Sequence, residues 1–199
     1  VSDLFPGNER MSCRILTSFA MANHGSTFMH WLRSELMKSL GLYDIDAVYV
    51  DSIVSRSIDD RATVAPDTRA HMRSPTGAMP IGAMREDWNA LYQAAMRQAQ
   101  LMLFCYTDEF RDSQWCRQEW DQFIGQKAGR PADRPLRGLI LEFTTDACTL
   151  PGSRGDGVTR IPVAKTDGGR SGLAWDKGDY ILSSTDYAWV LAQIQQLIR

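Results

Sequence analysis

The sequence has no apolar run approaching the ~18 residues a membrane-spanning helix needs; its apolar stretches, Leu101 to Tyr106 among them, are strand-sized. The first ten residues lack the apolar core of a secretory leader. A cytoplasmic location away from membranes is therefore expected. Lysine is scarce, four residues against 18 arginines, a bias that codon usage in a GC-rich genome explains. The formal charge is only -2. This excludes the strong basic footprint of a nucleic-acid or anionic-membrane binder. Cysteine is limited to Cys13, Cys105, Cys116 and Cys148, with no CxxC pair and no zinc-finger spacing, so reduced, buried thiols are expected. Of the three histidines, His24 and His30 stand about 240° apart on a helix and cannot share a metal as helical neighbours. No metal is expected. There is no GxGxxG opening a helix, no Walker A, no GxSxG and no HExxH. A Rossmann dehydrogenase, a P-loop ATPase, an α/β-hydrolase and a zincin are all unsupported.

What is present is an alternation of strand-like and helix-like segments over 199 residues. Arg14 to Ala20 (RILTSFA), Ala47 to Val54, Leu101 to Tyr106, Leu136 to Phe143 and Arg160 to Ala164 read as strands. LMLFCY is apolar on both faces, as a central parallel strand should be, while Pro162 points to an edge. A first helix is expected from Ser26, with Phe28, Trp31, Leu32, Leu36 and Leu40 as its stripe and Gly41 as its stop. Asp87 should cap a second, with Trp88, Leu91, Tyr92, Ala95 and Ala99 inward. Ser113 should cap a third, running to Ile124 and closed by Gly125. Tyr187, Val190, Leu191, Ile194 and Ile198 mark a last helix. These elements make one α/β domain with a five-stranded, mainly parallel sheet of order 2-1-3-4-5. Ligands of such sheets bind at the strand carboxyl ends, where strand order reverses. The loops expected there are Met21 to Gly25 and Thr107 to Gln114.

The most informative stretch is Ser113-Gln114-Trp115-Cys116-Arg117-Gln118-Glu119-Trp120. At 100° per residue, Cys116, Trp120, Phe123 and Ile124 form the core stripe. Trp115 and Glu119 fall together at its margin, four residues apart, so that indole and carboxylate can line one wall. The bland alternatives are a core indole and a solvated carboxylate. His24 reads as a solvated loop residue that could touch a ligand, Arg56 and Arg61 as loop cations that could reach phosphates, and Asp59-Asp60 as a solvated turn.

On Ser113-x-Trp115-Cys116-x-x-Glu119 after the strand LMLFCYT, the chain resembles the Toll/interleukin receptor (TIR) domain family, especially its bacterial, Thoeris-like antiphage-defence members. Ser18 and Phe19 match the Ser-Tyr or Ser-Phe pair of that family's first strand. The resemblance implies a flavodoxin-like TIR fold over residues 12–199, after an N-terminal extension over 1–11. It further implies an enzyme that cleaves NAD+ at the nicotinamide–ribose bond. NAD+ would be a substrate, with no cofactor required. The product would be an ADP-ribose-derived signal, cyclic or conjugated, read by a downstream effector in antiviral immunity, with activity dependent on self-association. Glu119 maps to the family's catalytic glutamate and Trp115 to its stacking tryptophan; Ser18, Phe19, His24 and Arg56 are the further substrate-binding candidates. The segment Ser55 to Arg85 departs from the family: it reads SPTGAMPIGAM and lacks the Arg-Asp-x-x-Pro-Gly pattern of receptor and adaptor members.

Three other readings compete with this one. One is a non-catalytic TIR scaffold acting by self-association. Another is a nucleoside deoxyribosyltransferase, which the Trp-Cys-x-x-Glu block disfavours. A response-regulator receiver needs an acidic pair after strand 1, where this chain has Phe19-Ala20-Met21.

Overall fold

Alternation across the first strand sets the layers. In β1 (Ile15–Phe19), Ile15 packs into one apolar cluster and Leu16 into a second on the opposite face. The computed structural model describes residues 12–20, 25–44, 46–50, 85–143, 147–162 and 182–198. The remaining strands are β2 (Val48–Tyr49), β3 (Leu101–Tyr106), β4 (Arg137–Glu142) and β5 (Val158–Pro162). All pair in parallel, in the order β2-β1-β3-β4-β5. This is the α/β sheet expected from the sequence. All six residues of β3 are buried, as a central strand requires, and β5 with Pro162 occupies an edge.

The helices are α1 (Gly25–Leu40), α2 (Arg85–Gln98), α3 (Asp108–Asp112), α4 (Gln114–Ala128) and α5 (Ser184–Leu197). Phe28, Met29, Leu32 and Leu36 of α1 and Val190 and Ile194 of α5 cover one sheet face. Tyr92, Ala95 and Met96 of α2 and Cys116, Trp120 and Phe123 of α4 cover the other. The two helix pairs thus lie on opposite faces, and neither face of β3 meets solvent.

Several expected boundaries shift. Helix α1 begins at Gly25, one residue ahead of Ser26, and Gly41, at φ +64°, ends it. Asp87 lies inside α2, which starts at Arg85. Gly125 does not close α4. The helix continues to Ala128 and Gly129 caps it, because the Gly125 Cα faces open space and a helical glycine there costs only ~1 kcal/mol. Thr107 to Gln114 is not all loop. The Thr107 hydroxyl accepts from the Phe110 amide at 3.1 Å and starts the short α3, with Asp108 and Glu109 in the first turn. β2 is shorter than expected: Ala47 and Val50 are buried but flank only a two-residue ladder, and 51–54 lie outside the described residues. Trp31 leaves the core stripe for its margin, 38% exposed, with its ring 5.7 Å from Phe28 and 5.9 Å from Tyr187.

Arginine ties the helix ends to the sheet. Arg14 Nη2 donates to the Ile198 carbonyl at 3.1 Å and Arg137 Nη1 to the Leu197 carbonyl at 2.8 Å. Arg130 Nη2 donates to the Met96 and Ala99 carbonyls at 2.7 and 3.0 Å. The last carbonyls of α5 and α2 have no partner within their own helices, and a fork of cationic donors satisfies them while matching the negative helix end.

Helix α4 sits unusually close to β4. A Cβ built on Gly138 would lie 2.7 Å from the Phe123 ring. Phe123 is itself locked among Phe104 at 5.2 Å and Trp120 at 5.2 Å between ring centroids. Gly138→Ala must therefore push α4 away from the sheet or drive Phe123 from its place. Overpacking of this kind costs about 1–3 kcal/mol. We expect a melting temperature lower by several degrees, whereas Gly125→Ala, in open space, should raise it slightly. Calorimetry of the two variants checks the pair.

Candidate functional site

Sheet order reverses at β1, which has β2 on one side and β3 on the other, although β3 follows β2 in the chain. The carboxyl ends of β1 and β3 therefore flank the crevice where ligands of such sheets bind. β1 delivers Ser18 there. β3 passes through α3 into α4, whose start is fixed by the Ser113 hydroxyl accepting from the Cys116 amide at 3.3 Å. This cap sets the rotation of α4. Cys116, Trp120 and Phe123 face the core, Trp115 is left 45% exposed, and Glu119 is partly buried between these extremes.

The chain ends of this arrangement meet in one contact. Ser18 Oγ donates to Glu119 Oε2 at 2.5 Å, across 101 residues of sequence. Ser18 is 1% exposed and lies in a ladder that pairs it with Phe104 of β3. Its neighbour Thr17 is held twice. The Thr17 hydroxyl donates to the Tyr49 carbonyl at 2.7 Å, and the Tyr92 hydroxyl of α2 donates to the Thr17 carbonyl at 3.1 Å. The carboxylate is thus met by a strand braced from β2, β3 and α2.

Of the residues expected at the site, Ser18 and Glu119 meet on the α2/α4 side of the sheet, and Trp115 stands one helical turn before Glu119 in α4. Phe19 does not join them: alternation turns its side chain to the opposite face, where it packs, partly buried, against the α1/α5 cluster. His24 and Arg56 lie outside the described residues. So do the N-terminal extension over 1–11 and all of the 55–85 segment except Arg85, where α2 begins. Ser18 is too deeply buried to offer its surface to a ligand and meets the carboxylate instead.

The cysteines give this crevice no nucleophile. All four are free and buried. Burial pushes the Cys116 thiol up to about 12; the hydrogen bond to Ser113 works against this and the nearby Glu119 charge adds to it. Burial raises Cys13 and Cys105 as well. Neutral thiols at physiological pH are poor nucleophiles.

One polar cluster escaped the sequence reading. At the carboxyl end of β4, the guanidinium of Arg160, midway along β5, grips Glu142 Oε1 through Nη2 and through Nε at 2.5 Å, and the Cys148 amide donates to the same oxygen at 3.4 Å. Glu142 is 7% exposed. The signal was available in LRGLILEF, where a glutamate occupies an inward position of an apolar strand and so demands a partner. The segment after β4 is fastened further by Trp120 Nε1, which donates to the Pro151 carbonyl at 2.8 Å.

Among the described residues, no group of three His, Cys, Asp or Glu side chains could hold a metal ion, and no helix is long and apolar enough to cross a membrane. Comparison of the chain with protein-family models, with curated proteins and with solved structures finds no match.

Proposed function

We propose that the chain is a TIR-type NAD+ nucleosidase whose catalytic group is Glu119 and whose stacking platform is Trp115. The observation that carries this reading is a partly buried carboxylate that Ser18 of β1 holds, with a half-exposed indole one helical turn before it in the same helix. An indole needed only for packing would be covered. An indole left open beside a desolvated carboxylate suits a ligand with an aromatic ring and a region that becomes cationic.

The chemistry asks little more. Nicotinamide leaves a pyridinium as a neutral ring, so the leaving group needs no proton donor. One carboxylate can hydrogen-bond the ribose hydroxyls and stabilise the oxocarbenium-like transition state, where ordinary glycosidases need two. Water, a hydroxyl of the same nucleotide or an acceptor then takes the ribose carbon. The product would be linear, cyclic or conjugated ADP-ribose, serving as a signal to a downstream effector in bacterial antiviral defence inside the cell. Self-association is part of the proposal, because many TIR enzymes complete their sites between neighbouring protomers.

The test is incubation of the purified protein with NAD+ over a wide protein concentration range, with mass spectrometry of nicotinamide and the ribose product. Nicotinamide release that rises more steeply than in proportion to protein supports both cleavage and assembly. A chain that never releases nicotinamide in any assembled state would be a scaffold.

Trp115→Ala supplies a narrower test. Loss of a base-stacking platform costs about 1–3 kcal/mol, or roughly tenfold or more in apparent affinity. We expect KM for NAD+ to rise by that factor. The melting temperature should stay close to wild type, since the indole is 45% exposed. A core tryptophan would instead lose about 3–5 kcal/mol of stability on truncation.

A further inference from the structure

The structure assigns Ser18 the role of a positioning residue: its hydroxyl fixes the Glu119 carboxylate, and it does not touch the substrate. This inference rests on the proposed function for its kinetic consequence, but not for the contact itself. Ser18 is 1% exposed, so a ribose or phosphate cannot reach it without unpacking β1. Its Oγ lies 2.5 Å from Glu119 Oε2, the short separation of a charge-assisted O–H···O bond. The support behind it is rigid. The Ser18 backbone belongs to a parallel ladder opposite Phe104, and the preceding residue is tied to Tyr49 and Tyr92.

Glutamate on a helix surface turns about three bonds. The bond from Ser18, on a strand laddered to β2 and β3, restricts that freedom. It commits Oε2 to the sheet and leaves the other face of the carboxylate to follow from the geometry of α4. Preorganisation of this kind acts on the transition state, where the carboxylate must already stand against the developing cation. It should therefore appear in kcat and leave KM nearly unchanged.

The experiment combines kinetics with a direct observation of the carboxylate. In Ser18→Ala, kcat for nicotinamide release is expected to fall about tenfold or more with KM within about twofold. In a Glu119→Gln background the same substitution is expected to change the residual kcat less than about twofold, since a residue acting through another adds nothing once that other is gone. The 13C resonance of the Glu119 side-chain carboxyl is expected to shift in Ser18→Ala with the remaining glutamate carboxyls in place. Ser18→Cys, close in size and a weaker donor, serves if the alanine variant does not fold, and is expected to move the same resonance.

An unmoved Glu119 resonance overturns the inference whatever the chain does to NAD+. So does an equal loss of kcat in both backgrounds, which would make Ser18 act independently of Glu119. A moved resonance in a chain that never cleaves NAD+ overturns the proposed function and leaves the contact standing.

Discussion

Glu119→Gln is expected to lower nicotinamide release by about 10²-fold or more, the loss seen when a preorganised electrostatic group is removed from a transition state. The substitution removes the negative charge but keeps a carbonyl oxygen at the place where Ser18 Oγ now donates. The hydrogen bond therefore has a neutral successor, and the melting temperature should move little. NAD+ binding should change far less than the rate, because the charge matters most once the ribose becomes cationic. Single-turnover kinetics beside equilibrium binding separates the two quantities. A near wild-type rate in Glu119→Gln would remove the carboxylate from the mechanism, and a large loss of binding with an unchanged rate would make it a ground-state contact.

The second large effect concerns stability at the other end of the carboxyl edge. Glu142→Ala leaves the partly buried Arg160 guanidinium without its carboxylate and strips an acceptor from the Cys148 amide. Breaking one side of a buried pair costs about 3–5 kcal/mol. For a chain of this length each kcal/mol is worth about 2–4 °C in melting temperature, so a fall of roughly 10 °C is expected. Arg160→Met should be comparably harmful, as the glutamate is then the stranded charge. The double substitution Glu142→Leu with Arg160→Met should recover most of the loss, because a well-packed apolar pair has no charge to desolvate. Calorimetry of the full cycle decides. Single substitutions that cost under 1 kcal/mol would mean that water reaches the pair, despite its 19% and 10% side-chain exposure.

Most of the sheet could be read from the chain because a buried parallel strand is apolar on both faces and cannot be mistaken for an amphipathic surface element. LMLFCY and LRGLILEF have that character, and both lie within a residue of their expected places. Helix ends were harder. Ser113 was legible as a cap, since a hydroxyl there has no better partner than the Cys116 amide. Asp87 has the same credentials but stands two residues inside α2, where cap chemistry yields to the packing of Tyr92, Ala95 and Met96. The short α3 was hidden in a stretch of polar residues, although Thr107 followed by two acids is itself a start signal.

At the site, helical spacing placed Trp115 and Glu119 on one margin; in the structure both belong to α4, Trp115 45% exposed and Glu119 partly buried. Spacing along a single helix could not reveal that Ser18 meets Glu119, since that contact depends on strand order. Nor could the Ser18-Phe19 motif say which of the two faces α4: adjacent residues of a strand point apart, and only one can join the site. The excess of arginine over lysine read as a matter of codon usage. At Arg14, Arg130 and Arg137 it also has a use, because the guanidinium fork reaches helix-end carbonyls that a point charge would hold less well.

The 101 residues between Ser18 and Glu119 bear on how the protein acquires its site. β1 is held between β2 and β3, and its pairing of Ile15 with Leu101 closes a loop of more than 80 residues. Loop closure grows costly with length, and non-local parallel pairings form late in folding. The carboxylate on α4 is therefore not assembled with its own helix. It meets Ser18 only when β1 pairs with β3, which with β4 and β5 comes from the far half of the chain. Partly folded chains would carry the Trp115-to-Glu119 helix without the groups that orient it. Thermal loss of the Ser18–Glu119 contact should coincide with loss of the whole sheet.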